Sequence, residues 1–207
     1  MRKSKYGYLL LALLVTTGLA GTITSTSITN KERKYAAGLM KDTKSDLIKS
    51  VKGLSETQLN FKATPDKWSV KECMFHIALA EKNLWDMVEN SMKLPANPEK
   101  RAEIKMTDEQ LVKMMEDRSF KVKTSEPFEP KNATWKTIDE AVDYFKDLRA
   151  EHIKYIKNTT EDMRNHVVKM PFGSLDCYQI CLMMASHSNR HTQQLNEVKA
   201  DANFPKQ

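Results

Sequence analysis

Four segments of this chain repeat apolar residues every three or four positions, a spacing that places those residues on one face of an α-helix. The predicted helices cover residues 31 to about 53, 70 to about 93, 138 to about 157 and 174 to about 199. Only six glycines and seven prolines punctuate the 207 residues, and runs of β-branched residues between turn signals are lacking. The pattern predicts a single all-α domain, a four-helix bundle with one long connection.

Local signals support some of these boundaries. Ser69 followed by Glu72 forms a capping box that starts the second predicted helix. Ser174, after the turn at Phe172 and Gly173, is a candidate N-cap for the fourth. Residues 55–67 contain a proline and no sustained period, so we expect a connection there.

The long connection runs from Leu94 to Lys136 and contains four prolines. Thr107 and Gln110 form a further capping box within it, which predicts a short helix ending near Arg118. Connections of this length are uncommon unless they serve a function, often as a lid. A plain crossover between two helices that run in the same direction explains the length equally well.

The N-terminal twenty residues differ from the rest of the chain. Basic residues precede an apolar run from Tyr6 to Val15, and the small residues Gly18 and Ala20 follow at a spacing typical of a cleavage site. The run is shorter than the roughly 20 residues of a spanning helix. We therefore expect residues 1–20 to be a signal peptide and the product to be periplasmic or secreted, touching a membrane only if the signal is retained. Residues 200–207 form a C-terminal tail.

Charge and cysteine content exclude some functions. The net charge is +6, but the first twenty residues contribute three basic residues and no acids, which leaves 30 basic against 27 acidic residues. Lysines alternate with acids as on a solvated helix face, so we expect no nucleic-acid partner. The partner that we expect is a small-molecule substrate. Cys73, Cys177 and Cys181 are odd in number and predict no disulfide framework; the last two are expected to be small buried residues.

Two histidines occupy consecutive positions on the apolar stripe of the fourth predicted helix. That stripe comprises Ile180, Met184, His187, His191, Leu195 and Val198. Two buried imidazoles without partners would each cost about 1–3 kcal/mol. Residues four apart on a helix point the same way at about 5–6 Å between Cβ atoms, which suits two nitrogen ligands of one cation.

His76, in the second predicted helix, is the candidate third ligand. It lies away from the charged face, and its ring meets His187 and His191 if the second and fourth helices are antiparallel. Cys73, one turn earlier, is a rival ligand that would give a mixed thiolate site. Of the remaining histidines, His152 is interpreted as structural or partly exposed. His166, in the polar segment before the fourth helix, is interpreted as solvated.

Two further residues are candidates for the chemistry. Glu81 lies on the apolar side of the second predicted helix, either as an acceptor behind the metal ligands or as the partner of a lysine. Gln194 lies three residues after His191 and is placed to orient a ligand or a water molecule. Both are interpreted as catalytic candidates that position or deprotonate a nucleophilic water.

The chain resembles the DinB superfamily in two motifs. The first comprises Gly53-Leu54-Ser55-Glu56-Thr57-Gln58-Leu59, Lys67-Trp68-Ser69-Val70 and His76; the second is Ser186-His187-Ser188-Asn189-Arg190-His191-Thr192-Gln193-Gln194-Leu195. The match covers about residues 33–199. The resemblance implies an up-down-down-up bundle with antiparallel second and fourth helices and a Zn or Ni site formed by His76, His187 and His191.

The resemblance also suggests several activities. Members include thiol-dependent S-transferases and isomerases, metal hydrolases, and many proteins without a known activity. A three-histidine site leaves coordination positions open, which favours a metal-dependent hydrolase. The alternatives are a metal-dependent thiol S-transferase, which an exported location disfavours because such thiols are chiefly cytosolic, and a non-enzymatic metal-binding or stress protein. Dimers are common in such bundles, so a homodimer is a further expectation.

Overall fold

The computed structural model describes residues 27–119, 121 and 123–206, so the predicted signal peptide lies outside the described residues. The helices are α1 (Asn30–Val51), α2 (Glu56–Asn60), α3 (Val70–Met92), α4 (Asp108–Glu116), α5 (Ile138–Asn158) and α6 (Cys177–Lys199). Three short 3-10 segments cover Pro98–Glu103, Glu126–Phe128 and Pro130–Asn132. A small antiparallel hairpin pairs β1 (Val167–Met170) with β2 (Gly173–Asp176). The predicted all-α class is confirmed, with this hairpin as the one strand pair in the described part of the chain.

Each described α-helix begins with a capping box, in which the N-cap side chain and the third helical residue satisfy each other's backbone amides. The N-caps are Thr29, Ser55, Ser69, Thr107, Thr137 and Asp176. The predicted boxes at Ser69 and Thr107 are therefore confirmed. Side-chain caps of this kind typically contribute about 1 kcal/mol each.

Contacts between helix ends give the direction of α1. Tyr178 Oη, near the start of α6, donates to Glu32 O, near the start of α1. Lys199 Nζ, at the end of α6, donates to Ser50 O, near the end of α1. Helices α1 and α6 are therefore parallel. Lys44 Nζ donates to Lys146 O in the middle of α5, and the start of α1 reaches the end of α5. Helix α5 thus runs antiparallel to α1.

Helix α3 runs in the same direction as α5. Phe75 packs near Trp135, just before α5 begins, and Trp85 packs on Tyr155 near its end. Helices α1 and α3 each pack against both α5 and α6, so they occupy diagonal corners of the bundle. The order is up-down-down-up, which confirms the topology that the family resemblance implied.

Because α3 and α5 are parallel, the chain must return along the whole bundle between them. Residues 93–137 make this crossover, and α4 within it packs on α6. The side chain of Asn97 donates from Nδ2 to Val167 O and accepts from Val167 N at Oδ1. These two hydrogen bonds attach the crossover to the hairpin. Farther along, the 3-10 segments Glu126–Phe128 and Pro130–Asn132 pack on α3. The length of the connection therefore follows from the topology.

The core consists of two apolar clusters, one toward each end of the bundle. Met40, Leu84 and Ile180 belong to the first, and Leu47, Met74, Phe145 and Leu195 to the second. On α1, α3 and α6 the apolar residues that repeat every three or four positions are largely buried, as the spacing predicts, although His187 is partly exposed.

The spacing of residues along α5 predicts a buried stripe of Ile138, Ala141, Phe145, Leu148, His152 and Tyr155, and this stripe is wrong at two positions. Leu148 and Tyr155 are only partly buried, and Arg149 and Ile156 are fully buried in their place. Spacings of three and four residues both fit a helix, so the periodicity alone favours the aliphatic Leu148 over the neighbouring arginine.

Three predicted boundaries also differ. The first helix ends at Val51, before Gly53, whose φ of +75° stops it. The expected connection 55–67 contains the short helix α2. Helix α6 is capped by Asp176 instead of Ser174, because Ser174 lies in β2 and donates its hydroxyl to Glu103.

The three cysteines are free and buried, as expected for Cys177 and Cys181. In the part of the chain that the structure describes, no helix combines the length and apolar character needed to cross a membrane.

Candidate metal centre

The rings of His76, His187 and His191 converge between α3 and α6. Their Nε2 atoms form a nearly equilateral triangle: 3.2 Å from His76 to His187, 3.0 Å from His76 to His191 and 3.1 Å from His187 to His191. Antiparallel packing of the two helices brings the early part of α3 level with the later half of α6. Among the described residues this is the one group of at least three His, Cys, Asp or Glu side chains whose ligand atoms come together.

Hydrogen bonds at the opposite nitrogens fix the tautomers of two rings. His76 Nδ1 lies 2.6 Å from Phe128 O, and because a carbonyl only accepts, this nitrogen carries the proton. His191 Nδ1 lies 2.9 Å from Gln194 Oε1, an oxygen that also accepts from Arg118 Nη1. In their neutral forms, both rings therefore present an unprotonated Nε2 to the centre of the triangle.

Burial keeps the rings neutral. It lowers the pKa of His76 to about 4, although the bond to Phe128 opposes the shift. Burial also lowers the pKa values of His187 and His191 well below the usual range, and the neighbouring imidazoles add to the effect. At neutral pH the cluster thus presents uncharged imidazoles, the form of histidine that binds metal ions.

The triangle fits a divalent cation. Two imidazole nitrogens at about 2.0–2.1 Å from a tetrahedral ion are roughly 3.3 Å apart, and at an octahedral ion roughly 2.9 Å. The observed separations of 3.0–3.2 Å lie between these values. Lone pairs facing one another at this distance repel unless a positive charge joins them, so the donor set fits a metal ion.

Aromatic packing and the crossover complete the surroundings of the rings. The ring of Trp68, which immediately precedes the N-cap of α3, lies 4.8 Å from that of His76 and 5.9 Å from that of His191. The crossover contributes the Phe128 carbonyl and the Arg118 guanidinium that bonds Gln194. The crossover therefore supplies the acceptor for His76 and supports the acceptor for His191.

Cys73, the rival ligand, lies in the apolar cluster with Met74 and Leu195. Burial raises the pKa of its thiol to about 12. A metal ligand must be a thiolate, and this surrounding strongly disfavours one. The geometry favours three histidines over a mixed thiolate site.

The two catalytic candidates have different surroundings. Gln194 Oε1 accepts from His191, as its spacing suggested. Glu81 is instead engaged in a buried ion pair: its two oxygens accept from Arg149 Nε at 2.7 Å and Nη2 at 2.6 Å, and one also accepts from His152 Nδ1 at 2.7 Å. Its expected partner was a lysine or a metal ligand, and the carboxylate is not free to act as a base.

Neither of the remaining histidines joins the triangle. His152 is buried and stacks on Trp85 with ring centroids 4.0 Å apart, and its Nε2 has no hydrogen-bond partner within the described residues. His166, expected to be solvated, is buried and donates from Nδ1 to Ser91 O at 2.9 Å. That prediction was wrong because the hairpin folds over the end of α3, where a carbonyl needs a donor.

Arg149 is the important residue that the sequence did not reveal. It is fully buried and pairs with Glu81. The available signal was its position four residues after Phe145, on the core face of α5, where a charge requires a buried partner.

Comparisons with known proteins agree with this architecture. A model of the DinB superfamily matches residues 39–195. YuaE, an uncharacterized protein of Bacillus subtilis (strain 168), is 24% identical over 151 residues, covering 72% of this chain and 88% of YuaE. YfiT from Bacillus subtilis, described as a probable metal-dependent hydrolase with an unusual four-helix bundle topology, matches in structure with a TM-score of 0.58 and 13% identity. That match covers 84% of this chain and 89% of YfiT.

Proposed function

The chain belongs to the DinB superfamily, and from this premise we propose that it binds one divalent metal ion, Zn or Ni, through His76, His187 and His191 and hydrolyses a small-molecule substrate. The observation that carries the proposal is the triangle of Nε2 atoms at 3.0–3.2 Å. In two of the rings the opposite nitrogen is already committed as a donor. Histidines whose second ring nitrogen donates a hydrogen bond are typical of metal sites.

A divalent cation held by three neutral imidazoles supplies Lewis acidity, which polarises a carbonyl or phosphoryl group and makes water nucleophilic near neutral pH. The protein's own residues set the geometry. Gln194 and the Phe128 carbonyl hold the rings of His191 and His76 in the correct tautomer, and Trp68 packs against the same two rings. Gln194 is therefore a positioning residue.

Hydrolysis is preferred to thiol transfer for two reasons. The structurally similar YfiT is described as a probable metal-dependent hydrolase. An exported protein, moreover, would be separated from the low-molecular-weight thiols of the cytosol. A thiol S-transferase and a non-enzymatic metal-binding or stress protein are the alternative outcomes of the experiments below.

We also propose export, with cleavage near Ala20, from the basic start and the short apolar run of the sequence. Cell fractionation with N-terminal sequencing tests this. An intact Met1 terminus in the cytosol would contradict export and remove the objection to thiol chemistry. The homodimer stays a prediction.

Metal content tests the site. Elemental analysis of the purified protein is expected to give one divalent ion per chain, and His76→Ala, His187→Ala and His191→Ala should each lose it. His166→Asn is the matched control, since it replaces a buried histidine outside the triangle and keeps a donor for Ser91 O. If His76→Ala kept full occupancy while Cys73→Ala lost it, a mixed thiolate site would replace the three-histidine site.

Activity tests the chemistry. Ester, amide and phosphoester substrates should be assayed beside pairs of a thiol and an electrophile, with chelated protein and His187→Ala as controls. Turnover that needs metal but no thiol supports the hydrolase. Turnover that requires added thiol would establish the transferase, and metal binding without either activity would favour the binding protein.

A further inference from the structure

A buried polar network centred on Arg149 joins all four long helices. The guanidinium binds Glu81 of α3 in a bidentate ion pair. Its Nη1 donates to Thr43 Oγ1 of α1 at 3.0 Å, and its Nη2 donates to Ser188 Oγ of α6 at 2.8 Å. Backbone carbonyls of Met40 and Met184 accept from the same two nitrogens at 3.2 and 3.4 Å. One side chain of α5 is thus attached to each of the other three long helices.

The network lies between the two apolar clusters of the core and beside the metal centre. On α1, for example, Thr43 separates Met40 of one cluster from Leu47 of the other. On α6 the bonded hydroxyl belongs to Ser188, the residue that follows His187. The network therefore bonds α6 at the residue next to a ligand of the proposed metal ion.

Ionic groups in a core are expensive to bury, and packed apolar residues in their place often give equal or greater stability. A role in positioning is the best-attested reason to retain such a network. Within the described part of the chain, His187 is the ring of the triangle that lacks a positioning partner of its own. Phe128 orients His76 and Gln194 orients His191, whereas His187 Nδ1 has no hydrogen-bond partner among residues 27–119, 121 and 123–206.

We propose that Arg149 is a positioning residue for the metal centre: through Ser188 and Met184 O it holds α6 in the axial register that brings His187 Nε2 to 3.2 Å from His76 Nε2. The inference rests on the proposed function, since it assigns the network to the same metal site. A one-residue helix shift is 1.5 Å, so even a small slip would spoil a triangle of this size.

Two single substitutions separate positioning from stability. Ser188→Ala removes the hydroxyl that attaches Arg149 to α6, and Thr43→Val removes the equivalent hydroxyl on α1. The hydroxyls are well matched: both are buried, and each also donates to a carbonyl of its own helix. The measurements are Zn²⁺ affinity by chelator competition, the visible absorption spectrum of the Co²⁺-loaded protein, and urea unfolding without metal.

Ser188→Ala is expected to weaken Zn²⁺ binding about tenfold and to alter the Co²⁺ spectrum, since partners behind metal ligands typically affect affinity by 10- to 100-fold. Thr43→Val should weaken Zn²⁺ binding much less, because it leaves the bond between Arg149 and Ser188 in place, although both variants lose a similar amount of stability. Equal Zn²⁺ affinities in the two variants would overturn the inference. If the wild-type protein itself bound no metal, the proposed function would fail instead.

A double variant provides the stronger perturbation. Glu81→Leu with Arg149→Met removes both charges together, so neither variant position leaves an unpaired charge in the core. The Zn²⁺ affinity of the double variant should fall by about 10- to 100-fold. Wild-type affinity in the folded double variant would show that the network has no part in the site. If the double variant does not fold, the comparison of Ser188→Ala with Thr43→Val still decides.

Discussion

At the scale of single residues, the metal centre is distinguished by what accepts the Nδ1 protons. His191 donates to the neutral amide oxygen of Gln194, and His76 donates to a backbone carbonyl. A carboxylate in either place would make the imidazole a stronger electron donor. Neutral acceptors fix the rings while leaving a bound cation more electrophilic, which suits hydrolysis.

Replacing Gln194 by leucine should weaken Zn²⁺ binding by about 10- to 100-fold, because His191 loses the acceptor that holds its ring and tautomer. Chelator competition measures the affinity. Gln193→Leu is the matched control, because the Gln193 amide donates to Glu116 O and to Asn189 Oδ1 and not to any of the three histidines. Equal Zn²⁺ affinities in the two variants would show that Gln194 does not position His191.

The sequence allowed the ligands to be predicted better than their partners. Spacing along α6 already places His187 and His191 together, because both lie on one helix face. The acceptor for His76 is a carbonyl 52 residues away in the crossover, and backbone atoms leave no mark in a sequence. Arg149 was missed because the neighbouring Leu148 satisfies the same periodicity.

At the scale of elements, the start of α6 shows how two local signals compete. Ser174 and Asp176 are both favoured N-cap residues, and the turn at Gly173 favoured the earlier one. The structure uses Asp176, whose carboxylate accepts from Gln179 N, while residues 173–176 pair with β1. A strand of four residues is too short for alternation to reveal it.

Asp176→Ala should therefore cost more stability than Ser174→Ala. The first removes an N-cap, worth about 0.5–2 kcal/mol, and an ion pair with Arg164 at 3.0 Å as well. The second removes one hydroxyl that donates to Glu103, worth about 1 kcal/mol. Urea unfolding of both variants measures the difference. A larger loss of stability for Ser174→Ala would indicate that Ser174, and not Asp176, is the N-cap of α6.

At the scale of the whole molecule, the up-down-down-up order brings α3 and α6 together as antiparallel neighbours. That arrangement is needed for His76 to meet the α6 pair, and the family resemblance implied it before the structure did. The polar network around Arg149 was not predictable in the same way, since its four helices contribute unremarkable residues that only tertiary packing brings together.

The network should make stability depend on pH. Burial alone would raise the pKa of Glu81, but the charge and hydrogen bonds of Arg149, with His152, lower it to about 2 from an ordinary value of 4.5. A depressed carboxyl pKa stabilises the folded state above the unfolded pKa. This contribution is complete above about pH 4.5 and is lost as the pH falls toward 2.

Urea unfolding of the metal-free wild type and Glu81→Gln between pH 7 and about pH 3 measures this contribution. The stability difference between them should shrink below about pH 4.5. Glu151→Gln, an exposed carboxyl on α5, is the control and should show little change. A difference that stays constant with pH would show that Glu81 is not held ionised by Arg149.

The central claim, an open three-histidine metal centre, is tested most directly by a crystal structure of the Zn²⁺-loaded protein with anomalous scattering at the zinc edge. We expect one anomalous peak about 2.0–2.1 Å from the Nε2 atoms of His76, His187 and His191, with at least one coordination position facing solvent. A peak bonded to Cys73 or lying away from the triangle would contradict it. A fourth protein ligand that closes the coordination sphere would leave the site intact but exclude the hydrolase.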